Sequence, residues 1–171
     1  MPVDPNPATE AGTRREPMRV AVILAIALLS TPCLARRQDK AEVFSAAQLH
    51  SKFAELDAQS KSPGSGGATL GDYGSHMIKL SQRTASGGAE VHGHFDDIII
   101  VEEGRATLIT GGELLNAHTV SGGEATGSDI RNGNTQSISA GDVVHIPAGQ
   151  PHRLVIIPGT TFHALVIKVK E

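Results

Sequence analysis

From residue 75 onward the chain is a succession of short apolar runs rich in Val, Ile, Leu and Thr, separated by turns in which Gly, Pro, Asn and Asp recur. The runs fall at 75–82, 90–94, 97–102, 105–110, 135–139, 142–146, 152–157 and 161–170, and their length and β-branched bias are those of strands. Many short strands with no helices alternating between them exclude a βαβ fold and predict an all-β barrel or sandwich. Residues 111–134, Gly-rich and polar with Asn116, His118, Glu124, Asp129 and Arg131, interrupt this spacing and are predicted as one long loop. The core must be aliphatic, because the 171 residues include no Trp, one Tyr and four Phe.

Upstream, Ser45-Ala46-Ala47-Gln48 has the form of a capping box, and Leu49, Phe53 and Leu56 follow at helical spacing. One amphipathic helix over 46–60 is predicted, ended by Lys61-Ser62-Pro63-Gly64-Ser65-Gly66-Gly67. A net charge of -3 and a pI near 6.2 supply no field for a polyphosphate backbone, and five aromatic residues are too few for base-stacking platforms. Nucleic acid is therefore excluded as a partner.

Val20 to Leu29 are ten apolar residues, preceded by Arg19 and followed by Pro32-Cys33-Leu34-Ala35. Ten helical residues span about 15 Å against a hydrocarbon core of about 30 Å, so the run reads as a secretory signal peptide, not a membrane span. Cys33 and Ala35 suit cleavage after Ala35. Lipidation of Cys33 is the alternative, and Pro32 before it argues against that. The acidic and Pro-containing residues 1–17 are unusual before a signal, and a start at Met18 would remove them. Three domains are thus expected: signal peptide 1–35, helix and linker 36–67, and a β-barrel 68–171. The removed segment carries Arg14, Arg15 and Arg19 against Asp4, Glu10 and Glu16, so the charge stays at -3. Without Cys33, metal ligands must come from His and carboxylates. The expected location is secreted or periplasmic, with no membrane association after cleavage.

His92-Gly93-His94 ends one candidate strand, where residues two apart share a face and two imidazoles can grip one ion. His152 follows the turn Pro147-Ala148-Gly149-Gln150-Pro151. Imidazoles with a carboxylate suit Mn, Fe, Ni, Cu or Zn. His145 alternates within its strand as a hydrogen-bonded packing group, His76 lies near the barrel mouth in a structural role, and His50 falls on the helix surface. His118 and His163 have no nameable partner.

These residues resemble the cupin superfamily. Its first motif is Gly, five residues, His-x-His, three or four residues, Glu, six residues, Gly; its second is Gly, five residues, Pro-x-Gly, two residues, His, three residues, Asn. Gly141, Pro147, Gly149 and His152 match the second, with Ile156 in place of Asn; His92, His94 and Gly104 match the first, with Asp97 seven residues before Gly104. The gap from His94 to Asp97 is two residues, shorter than in the motif, and strand alternation favours Asp97 over Asp96. The resemblance, over residues 75–170, implies a double-stranded β-helix or jelly-roll barrel and one divalent transition metal ion held by His92, His94, Asp97 and His152.

Such barrels include dioxygenases, decarboxylases, isomerases, lyases and non-catalytic binders, and fold alone does not choose among them. A metal-dependent enzyme acting on a small oxygenated metabolite is the first expectation, with Tyr73, His76 and Lys79 as acid/base candidates. A non-catalytic metal- or ligand-binding barrel is the second, favoured if Ile99, Val101, Leu154 or Ile156 plugs the pocket. A scaffold that has lost its metal is the third. Edge strands offer a homodimer contact.

Overall fold

A computed structural model of the chain describes Met1, residues 40–59 and residues 64–171. The chain divides into two compact units, Met1–Ala41 and Glu42–Glu171. The signal peptide expected at 1–35, with Met18 and Cys33, lies outside the described residues.

The helix α1 runs over Ala46–Gln59. Its predicted capping box forms: Gln48 N–H donates to Ser45 Oγ at 3.3 Å, and Ser45 N–H donates back to Gln48 Oε1 at 2.9 Å. Thirteen strands follow among the described residues: β1 Ser65–Asp72, β2 His76–Arg83, β3 Ala89–His92, β4 Phe95–Glu103, β5 Arg105–Thr110, β6 Glu113–Leu115, β7 His118–Thr119, β8 Glu124–Gly127, β9 Asp129–Arg131, β10 Asn134–Ser139, β11 Val143–Ile146, β12 His152–Ile156 and β13 Phe162–Lys170. One sheet has the order β1-β2-β13-β4-β11, a second β10-β5-β12-β3-β8-β7, and β6 and β9 form a separate pair. Every paired ladder is antiparallel.

The two large sheets enclose Ile99, Val101, Ala106, Leu108, Ile138, Ile146, Ile156, Phe162 and Ala164, an aliphatic core with one Phe. The outer face of the first sheet is covered by α1, whose Phe53 and Leu56 pack on Leu80, flanked by Leu49, Ala68, Leu70 and Leu165. Burying side chains of this size contributes about 1.5–3 kcal/mol each. Phe53 also stacks on His163 at 4.3 Å, and His163 bridges Asp57 of α1 (3.0 Å) and Glu103 of β4 (2.9 Å). That histidine, for which the sequence offered no partner, ties helix to barrel.

All eight strands read from the sequence form. The loop expected at 111–134 is corrected: it folds into β6, β7, β8 and β9, and β8 joins the second sheet beside β3. Its glycines and polar residues hid strands of two to four residues, too short for alternation to register. The glycine-rich stretch after α1 likewise conceals β1, an edge strand. Gly104 and Gly141 adopt φ of +84° and +90° at strand junctions. At Gly104 a Cβ would sit 2.1 Å from the Thr161 carbonyl oxygen, so only glycine lets β4 turn into β5 there.

Candidate metal centre

Three cross-strand neighbours build the centre. His92 of β3 stands opposite Glu124 of β8, His152 of β12 opposite Glu90 of β3, and Asp97 of β4 opposite Lys168 of β13. Directly opposed residues share a face, and here the face is the interior between the sheets. The turn before β12 is fastened to the end of β3, because Gly149 N–H donates to the His92 carbonyl at 2.8 Å. Two histidines sixty residues apart are thereby held with ring centroids 5.1 Å apart.

Each imidazole has one nitrogen engaged away from the centre. His92 Nδ1 lies 2.5 Å from Glu124 Oε2, and His152 Nδ1–H donates to the Gln150 carbonyl at 3.1 Å. Both Nε2 atoms then face Asp97 Oδ2, at 3.5 Å from His92 and 3.8 Å from His152. Glu90 Oε2 stands 3.5 Å from His92 Nε2, and the ligand atoms of Glu90, His92 and His152 lie within 4.8 Å of one another. A shell with bonds of about 2.1 Å has donor–donor edges of about 3.0–3.4 Å, so contraction would close Glu90, His92 and His152 on one ion, with Asp97 Oδ2 beside both imidazoles. Tying Nδ1 to a carboxylate or carbonyl is how ligating histidines are oriented.

The charges fit a cationic occupant. Hydrogen bonding from His92, aided by Arg83 and His152, holds the Glu90 carboxyl down at about 2 against the opposing effect of burial. His92 is raised, chiefly by its hydrogen bond to Glu90, whereas burial lowers His152. Lys168 Nζ donates to the second oxygen of Asp97 at 2.5 Å, an ion pair with both side chains almost buried.

Of the four ligands expected from the sequence, His92, Asp97 and His152 converge and His94 does not. The strand ends at His92, and Gly93 and His94 enter a turn, so the two-residue alternation stops one residue too early. The backbone of Gly123 presses on that turn: a Cβ at Gly93 would lie 2.4 Å from the Gly123 carbonyl oxygen, and exposed His94 packs beside Gly123. Glu90, two residues before His92 on β3, stands beside the two imidazoles instead. Counted from Glu90, the first motif regains its spacing: Glu90-Val91-His92, four residues, Asp97, six residues, Gly104. The shortened gap disappears, and the departure becomes a Glu where the motif has its first His. Alternation within β3 could have revealed Glu90, two residues before His92; Glu124 lay in the presumed loop and Lys168 on a strand distant in sequence.

Asp97, Ile99 and Val101 are buried on one face of β4 as alternation required, while Asp96 faces outward, accepting from Ala148 N–H (2.7 Å) and pairing with His145 (3.0 Å). His76 stacks on Tyr73 at 4.9 Å, and the Tyr73 hydroxyl donates to Glu42. Of the three acid/base candidates, Lys79 lines the cavity. That cavity, of about 240 Å³, opens beside the four donors and is not filled by Ile99 or Leu154 in its wall.

No family model matches the chain, and no curated protein matches it in sequence. Solved structures do resemble it. A double-stranded β-helix protein from Klebsiella pneumoniae is 14% identical with a TM-score of 0.54, covering 77% of this chain and 91% of that one. A cupin-2 domain from Rhodospirillum rubrum is 13% identical, TM-score 0.46, covering 63% and 61%. A Thermotoga maritima protein described as a predicted oxalate decarboxylase is 16% identical, TM-score 0.47, covering 63% and 81%. From the two facing antiparallel sheets and the Klebsiella likeness, the chain has a double-stranded β-helix fold.

Proposed function

We propose that this protein is a metal-dependent enzyme that binds one divalent transition metal ion through Glu90, His92, Asp97 and His152 and acts on a small oxygenated metabolite in the adjoining cavity. The observation that carries the reading is the pair of imidazoles whose Nδ1 atoms are engaged by Glu124 and Gln150 while both Nε2 atoms face one oxygen of Asp97. A nitrogen and carboxylate donor set suits Mn, Fe, Zn, Ni or Cu. When bound, the ion would supply Lewis acidity to an oxygen ligand.

The chain's own residues would do the rest. Glu124 and the Gln150 carbonyl hold the imidazole tautomers. Lys168 fixes the rotamer of Asp97 and, with Lys79, brings an ammonium group to the cavity wall, where either can hold or deliver a proton. Open space beside the donors favours the enzyme over a non-catalytic barrel plugged by Ile99 or Leu154. We place the protein outside the cytoplasm on the strength of the 1–35 signal pattern.

Metal analysis of the purified protein beside His92→Ala and His152→Ala tests the reading. About one ion per chain in the wild type and little in either variant is the expected result; equal metal in all three would sink it. Turnover against a metabolite panel, with and without chelation, separates the enzyme from a non-catalytic binder.

A further inference from the structure

The cavity wall opposite the candidate ligands is basic. On β2, Met77 pairs with Lys168, Lys79 with Val166 and Arg83 with Phe162, so Lys79 and Arg83 share the inward face with Lys168 and line the same cavity. Lys168 is committed to Asp97. Lys79 and Arg83 have no carboxylate within ion-pair distance among the described residues, and Arg83 Nε is buried without an acceptor. The guanidinium has room because residue 87 is glycine: a Cβ there would lie 2.5 Å from Arg83 Nη1.

Charge counting says what these groups await. Four cations line the cavity; Arg153 is paired with Asp129, which leaves three, Lys79, Arg83 and Lys168, facing two carboxylates, Glu90 and Asp97. A divalent ion on those carboxylates would cancel them and leave all three cations uncompensated in a partly enclosed space. Buried charges and donors without partners are costly, and an anionic ligand resolves the imbalance. A volume of about 240 Å³ suits a small molecule.

We propose that the substrate is a small organic acid whose carboxylate is held by Arg83 and Lys79. Resting on the metal reading above, this names the substrate class of that site. Arg83 offers a planar fork of donors and Lys79 a point charge, and a carboxylate satisfies both. The two lie four residues apart on one strand, an advance of about 13 Å, so they converge on a ligand only by bending toward each other from either end of the cavity.

The test titrates the full chain in a calorimeter with malonate and with malonamide, its uncharged isostere. It is run once on Mn(II)-loaded protein and once after chelation and dialysis, with metal content measured in parallel. A bound cation would itself favour malonate, so variants carry the decision. Lys79→Met and Arg83→Met are expected to weaken malonate binding about tenfold or more each, with malonamide binding and metal content unchanged. Lys79→Arg should restore malonate binding, which separates loss of charge from loss of fold. Wild-type affinity for malonate in both Met variants, or no malonate binding in any form, overturns the proposal. A chain that retains no Mn(II) but still binds malonate through Arg83 and Lys79 would refute the metal reading and leave the carboxylate site standing.

Discussion

His92 and Glu124 face each other across the β3–β8 ladder, with Nδ1 and Oε2 2.5 Å apart, and this contact decides which nitrogen His92 turns toward the barrel interior. A histidine without that partner could rotate or change tautomer and withdraw Nε2 from the Asp97 carboxylate. Glu124→Ala is therefore expected to lower metal affinity about 10–100-fold, the range found when such supporting carboxylates are removed. Metal titration reads it, with circular dichroism to show the sheet intact. Affinity equal to wild type would detach Glu124 from the centre.

The register of the first motif makes its own prediction. Glu90→Ala should reduce bound metal severely, whereas His94→Ala should leave it near the wild-type level, because His94 lies exposed in the turn beyond β3. Metal content of the two purified variants checks this. The reverse result would return the site to the His92/His94 pairing.

Asp97 carries two duties, and its removal should show both. Asp97→Ala is expected to lose metal and also to destabilise the metal-free protein by about 3–5 kcal/mol, since it strands Lys168 almost buried without its partner. Denaturant unfolding measures the second effect. Adding Lys168→Met to Asp97→Ala should recover much of that stability without recovering the metal.

On the far side of the first sheet, Phe53→Ala should cost about 3–5 kcal/mol by opening the contact with Leu80 and His163. Metal content should not change, because Phe53 packs outside the barrel. A parallel fall in metal would show that α1 supports the centre through the sheet.

Asp129 gives a pH dependence. A hydrogen bond from Arg153, with help from the Ile130 N–H, lowers its carboxyl below the usual 3.8, so the folded state holds the proton less tightly than the unfolded chain. The stabilisation is present above pH 3.8 and lost as pH falls through the lower folded value. Asp129→Asn should thus melt below the wild type at pH 6, and the gap should close toward pH 2. A gap independent of pH would remove the ion pair as its cause.

Much of the fold was legible in the chain. Eight strands, the capped helix and the glycines at 104 and 141 follow from alternation, turn chemistry and the absence of a Cβ, all local properties of covalent geometry. The buried stripe Asp97, Ile99 and Val101 came from the same source. Short strands within 111–134 escaped because two to four residues cannot display a period.

The centre was only half legible, for a physical reason. Sequence alone determined which side chains could ligate and which share a face while a strand continues; His92, Asp97 and His152 come together in the structure. Where a strand stops is settled by the chain packed against it. The chain turns at Gly93, close against Gly123, so β3 ends at His92 and His94 lies exposed, while Glu90 shares the face of His92. The tertiary structure alone decided the partners across each ladder: Glu124 for His92 and Lys168 for Asp97. Alternation is written residue by residue, but the pairing of distant strands is a property of the closed barrel.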